Sequence, residues 1–167
     1  MIVELHTTVW GDWHLEMYQR ACLPTLMSSG NLPAISKNWE VQYRIYTTPG
    51  CATAIKTHPI FQQLEKVITP EFVIMADDGE TSGIDHMSVW HEAYQDARNR
   101  GGIMMMIPPD HIWPDKVLPR TLSRIVDDGY VAVALPYVIL VSETSVPEMR
   151  GFVAAQSPQI HPCCILE

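Results

Sequence analysis

Two periodicities alternate along this chain. Short runs of β-branched and apolar residues recur, and each is followed by a stretch whose apolar positions fall at helical spacing. Ile2-Val3-Glu4-Leu5-His6-Thr7-Thr8 is the first β-like run and stops at the turn signal Trp10-Gly11-Asp12. Asp12 is placed to cap a helix whose apolar stripe runs through Leu15, Met17, Tyr18, Cys22 and Leu26, with Pro24 expected to kink or end it. Residues 28–33 read as a loop by composition. Residues 41–48 alternate with period two and predict the second strand. Thr48-Pro49 then supplies a cap and a first-position proline for a helical region with Ala52, Ile55, Phe61 and Leu64 on its apolar side, broken at His58-Pro59.

A third strand region spans Val67-Ile68 and Phe72-Val73-Ile74-Met75, interrupted by Pro70, and leads into the acidic loop 77–83. Residues 84–100 have a helical pattern that Gly101-Gly102 stops. Ile103-Met104-Met105-Met106-Ile107 is apolar throughout, as a strand covered on both faces must be. A helix over 114–128 follows, with Val117, Leu118, Leu122, Ile125 and Val126 as its buried stripe. Tyr130-Val131-Ala132-Val133-Ala134-Leu135 then reads as a fifth, buried strand.

Strand and helix in alternation, with uninterrupted apolar strands, predict an α/β domain: a single Rossmann-like, mostly parallel sheet with helices on both faces. In such sheets ligands bind beyond the carboxyl ends of the strands. That rule selects Thr7, Thr8 and Trp10 after the first strand, Thr47 and Thr48 after the second, and Asp77 and Asp78 after the third. Asp110 and His111 follow the fourth, and Tyr137 the fifth.

Composition narrows the function. A chain of 167 residues with 47% hydrophobic and 18% charged residues suits one globular domain. A net charge of −8, with the basic residues scattered, argues against nucleic acid as a partner. The longest apolar stretch, 130–141, contains Pro136 and is too short for a membrane span. Cys22, Cys51, Cys163 and Cys164 lack metal-type spacing and read as reduced thiols. With no basic-then-apolar leader at the amino terminus, a cytoplasmic location is expected.

The densest candidate chemistry is Ile107-Pro108-Pro109-Asp110-His111-Ile112-Trp113-Pro114-Asp115. Two prolines stiffen the exit from a buried strand, and a carboxylate and an imidazole follow at once. A carboxylate there can hold a divalent metal that neutralises a ligand's phosphates. Asp115 also has a structural reading, at the amino end of a helix after Pro114. His86, Trp90, His91 and Glu92 read as a helix side packed on the sheet, because the two histidines do not converge and no HExxH pattern exists. Asp77-Asp78-Gly79-Glu80 reads as a solvated acidic turn. Phosphate-loop, GxGxxG and GxSxG patterns are absent from the sequence.

His6-Thr7-Thr8-Val9-Trp10-Gly11, Leu23-Pro24-Thr25-Leu26, Gly30-Asn31-Leu32-Pro33, Tyr43-Arg44-Ile45-Tyr46-Thr47-Thr48 and Pro109-Asp110-His111-Ile112-Trp113 occur in this order. Together they resemble the nucleotide-binding part of GT-A-type, family-2-like bacterial glycosyltransferases, over residues 1–152, with 153–167 as a carboxy-terminal tail. The resemblance implies a nucleotide sugar across the ends of the first strands and a divalent cation, Mn²⁺ or Mg²⁺, on its diphosphate. It places Thr7, Thr8, Trp10, Thr47 and Asp110 at the nucleotide, with Asp110 as first residue of a metal-binding DxD motif. Position 112 is Ile where that motif has its second Asp, which leaves His111 or Asp115 as the further metal ligand.

Two functions follow. One is a glycosyltransferase-like domain that transfers the sugar to an acceptor. The other is a non-catalytic GT-A-like module that binds a partner protein or assembles into a homo-oligomer. The second accommodates the missing second Asp, the short chain and the apolar tail 160–166.

Overall fold

Among the described residues, four of the β-like runs become strands, and all four lie parallel in one sheet. They are β1 Ile2–Val9, β2 Glu40–Thr47, β3 Glu71–Ile74 and β4 Ile103–Met106, in the order β3-β2-β1-β4. Val9 pairs with Thr47 across one side of β1, and His6 with Met106 across the other. The computed structural model describes residues 1–75, 86–133 and 135. Helices cover both faces of the sheet, so the α/β architecture is the one the alternating pattern predicts.

Successive side chains of a strand point to opposite faces. Val3, Leu5 and Val9 of β1 join Tyr43 and Ile45 of β2 in the main core. Helix α1, Gly11–Met17, runs through a π-helical turn at Tyr18–Cys22 into α2, Leu23–Leu26. The sequence pattern predicts a kink or an end at Pro24; the coil passes through Pro24 and ends two residues later, at Leu26. The wide turn precedes Pro24, where a regular helix would demand an N–H that proline lacks and would press its ring on the preceding turn. Asp12 lies inside the first turn of α1, not at its cap, which is Trp10. Helix α3, Leu32–Ile35, starts within the stretch that composition assigns to a loop, with Pro33 in its first turn.

Helices α4, Pro49–Thr57, and α5, Pro59–Leu64, separate at His58, whose backbone is extended as the following proline requires. Val67 and Ile68 are not strand residues: their N–H groups both go to the Leu64 carbonyl, closing α5. Ile55, Phe61 and Leu64 pack into the main core, and so do Leu118 and Leu122 of helix α7, Val117–Val126. That helix starts later than the predicted 114, because Lys116 takes a left-handed φ of 64°.

The expected fifth strand does not form among the described residues. Among the described residues of 130–135 none pairs with a strand, and Val131 is 102% exposed. The Tyr130 N–H turns back to the Arg124 carbonyl at the end of α7. An apolar run becomes a strand only beside a strand with free backbone groups, and periodicity does not reveal whether one is there.

Helix α6, His86–Arg100, covers the opposite face through Val89, Ala93 and Ala97. Beneath it lie Glu4 and His6, each 1% exposed. Glu4 Oε2 is 3.7 Å from His6 Nε2, 3.7 Å from Arg100 Nη2 and 3.9 Å from Arg44 Nη1. Both arginines also reach Asp96 at 3.1 Å, and Arg44 reaches Glu71 at 3.0 Å, so α6 is tied to three strands. Burial, with the Arg44 guanidinium beside it, lowers His6 to about 4 and keeps its ring neutral at pH 7. Among the described residues no helix is long and apolar enough to cross a membrane.

Candidate functional site

The chain leaves β1 toward β2 on one side and later places β4 on the other, so the strand order reverses between β1 and β4. A crevice at such a reversal, beyond the carboxyl ends of the strands, is where open parallel sheets take their ligands. Two segments leave the sheet there: Val9-Trp10-Gly11 from β1 and Ile107-Pro108-Pro109-Asp110-His111 from β4.

The second segment is shaped by its prolines. Ile107 donates to the His6 carbonyl at 2.8 Å and extends the pairing one residue past β4. The His111 N–H then bonds to the Pro108 carbonyl at 3.3 Å. This closes a turn with Pro109 at its second position, where the fixed φ of proline fits. Asp110 is thereby set at the corner, 39% exposed, with His111 beside it at 33%. His111 Nδ1 lies 3.1 Å from Asp110 Oδ1. That hydrogen bond holds the Asp110 carboxyl below the usual carboxylate range, aided by the charges of His111 and His14. An ionised carboxylate only accepts, so Nδ1 carries the proton.

Aromatic rings line the β1 side. Gly11 takes a φ of +67°, which lets the chain pass directly from strand into helix. Trp10 and His14 stack with centroids 4.5 Å apart, and Trp13, 47% exposed, meets His14 edge-on at 4.9 Å. Trp10 also packs against the cluster formed by Tyr46 of β2 and Val89 of α6.

The topology thus puts Trp10 just after β1, and Asp110 and His111 shortly after its neighbour β4. Thr7 and Thr8 are buried at 1% and 2% exposure, inside the layers. Thr47 is fully buried and its hydroxyl donates to the Val9 carbonyl at 2.6 Å, locking the ends of β1 and β2 together. Thr48 sits at the amino end of α4. Asp115 turns to another loop, where its Oδ1 accepts from Ser28 Oγ and from the Gly30 N–H, each at 3.1 Å. Asp77, Asp78 and Tyr137 lie outside the described residues. Among the described residues no three His, Cys, Asp or Glu side chains converge as a metal cluster.

His14 and Trp13 escape a reading based on strand ends, since they belong to the helix that follows. The available signal was spacing: His14 is four residues past Trp10, the interval at which helical side chains touch. Cys22 also approaches this segment, its thiol 3.4 Å from the Pro108 carbonyl. Burial pushes that thiol up to about 12, which makes it a packing group and not a nucleophile.

Family models, curated proteins and solved structures give no match to this chain.

Proposed function

We propose that this domain binds a nucleotide sugar in the β1–β4 crevice, through its diphosphate and a divalent cation, and transfers the sugar to an acceptor. The observation that carries the reading is the ionised, half-exposed Asp110 at the reversal point of a parallel sheet, hydrogen-bonded to His111. The resemblance of the sequence to GT-A-type domains supports the same ligand.

The donor set fits such a cation. Mg²⁺ and Mn²⁺ that bridge phosphates take one or two carboxylates from the protein and complete their shell with water and phosphate oxygens. Asp110 would be the anchoring carboxylate, and His111, whose Nδ1–H donates to it, would orient it. Asp115 is committed to Ser28 and Gly30. When bound, the ion neutralises charge on the diphosphate leaving group. It also offsets the repulsion between a diphosphate and a chain of net charge −8. Trp10, Trp13 and His14 offer π-faces and edges to a ring of the ligand.

A second reading, a GT-A-like module that binds a partner protein or another copy, is favoured by exposed apolar side chains. Met106, Tyr130 and Val131 are 47%, 56% and 102% exposed.

Calorimetric titration with UDP and GDP, each with and without Mn²⁺, tests the first reading on wild type and Asp110→Ala. Metal-dependent binding that disappears in Asp110→Ala is the expected result. Absence of binding by the wild type under every condition overturns it, and a concentration-dependent oligomer in sedimentation then supports the second.

A further inference from the structure

The short segment that carries Asp110 and His111 is fastened at both ends by residues that precede β2. At its start, the Pro108 carbonyl accepts from the Cys22 thiol. At its end, the Trp113 N–H donates to Thr25 Oγ1 at 3.0 Å. One step further, the Pro114 carbonyl accepts from Asn31 Nδ2 at 3.0 Å. The same Nδ2 donates to the Thr25 carbonyl at 3.1 Å, and Asn31 Oδ1 accepts the Leu118 N–H at 3.3 Å.

Asn31 is 0% exposed, and its amide is used on both sides. Its oxygen takes one of the amino-terminal N–H groups of α7, which a helix cannot satisfy internally. The residue before α7, Lys116, makes no side-chain cap. Asn31 therefore caps α7 from a distant part of the chain while its nitrogen fixes the exit of the Asp110 segment. An apolar side chain of similar size would strand buried carbonyls and an N–H, a cost a protein rarely accepts without return.

We propose that Asn31 is the positioning residue of this site. It touches no ligand; through Thr25, Pro114 and Leu118 it fixes the end of the segment from which Asp110 and His111 project. The inference rests on the reading of Asp110 as the anchor of the cation and diphosphate. Partners that orient a metal-binding residue typically change metal affinity by about 10- to 100-fold when removed.

The test is calorimetric titration of the full chain with UDP and GDP in the presence of Mn²⁺, comparing wild type, Asn31→Asp, Asp110→Ala and the double variant. Asn31→Asp keeps the acceptor for Leu118 and the side-chain volume but turns an oxygen toward the Thr25 and Pro114 carbonyls. The expected result is a fall of about 10- to 100-fold in metal-dependent affinity, with no further fall when the substitution is added to Asp110→Ala. Phe61→Leu in α5, matched for lost thermal stability, separates positioning from general weakening, and is expected to bind as wild type does. Should Asn31→Asp fail to fold, Thr25→Val removes the hydroxyl that holds Trp113 at nearly constant shape, with Thr25→Ser restoring affinity. A folded Asn31→Asp or Thr25→Val with wild-type metal-dependent affinity overturns this inference alone. Absence of binding by the wild type overturns the site reading and this inference with it.

Discussion

Asp115 and Gly30 meet in a contact that leaves no room for a side chain. Asp115 Oδ1 accepts the Gly30 N–H at 3.1 Å, and a Cβ on Gly30 would fall on that same oxygen. The two residues are 85 apart in sequence, so the contact joins the segment before α3 to the segment before α7.

Gly30→Ala is therefore expected to destabilise the domain by about 1–3 kcal/mol, the usual cost of forcing atoms into a filled site. Chemical denaturation measures it. Asp115→Ala removes the obstructing carboxylate, so the double variant should lose less than the sum of the single losses. Strict additivity would show that the two residues do not share this contact.

His6 gives the domain a calculable response to acid. Its folded value is about 4, below the ordinary 6.5, so between these limits the unfolded chain binds more protons than the folded one. Stability must then fall as pH falls from about 6.5 to 4, with a slope of at most about 1.4 kcal/mol per pH unit for one proton. Denaturation midpoints across that range should show the slope in wild type and lose it in His6→Gln. An unchanged slope in the variant would assign the effect to other groups.

Glu4→Gln tests the ionic cluster under α6. Removing one member of a buried ion pair ordinarily costs about 3–5 kcal/mol, because the other charge is stranded. Here Arg44 and Arg100 keep Asp96 at 3.1 Å, and Arg44 keeps Glu71 as well. The expected loss lies below that range, and it should grow when Asp96→Asn is added. Urea titrations of the two single variants and the double variant decide the matter.

Thr47→Val keeps the side-chain shape and removes the hydroxyl that bonds to Val9. The Val9 carbonyl loses its partner inside the sheet, and a loss of about 1–3 kcal/mol in unfolding free energy is expected. A value near zero would mean that another donor reaches that carbonyl.

The sheet was legible because β1, β2 and β4 are runs of β-branched and apolar residues long enough to stand out from the helical pattern. Pro109 and Asp110 were legible too, since a proline pair after an apolar run marks a strand exit. Other features depend on contacts between remote segments. Period two puts Glu4, His6 and Thr8 on one face of β1, but only α6 makes that face a buried one. Asp115 looks equally suited to a metal or a cap until Ser28 and Gly30 are seen against it. His14 becomes part of the crevice through the pairing of β1 with β4, which local patterns do not encode. The run 130–135 has strand composition, yet its described residues have no strand beside them, and composition alone cannot supply a neighbour.

The π-helical turn at Tyr18–Cys22 has a consequence for chain length. Such a turn holds one residue more than the regular coil, and each residue advances an α-helix by about 100°. Every side chain after it is rotated by that surplus relative to α1. In this phase the Thr25 hydroxyl oxygen accepts the Trp113 N–H. Deleting a single residue from 18–22 would yield a more regular helix with Thr25 swung off its target. Here an insertion that looks like a local defect keeps two distant stretches of chain in step.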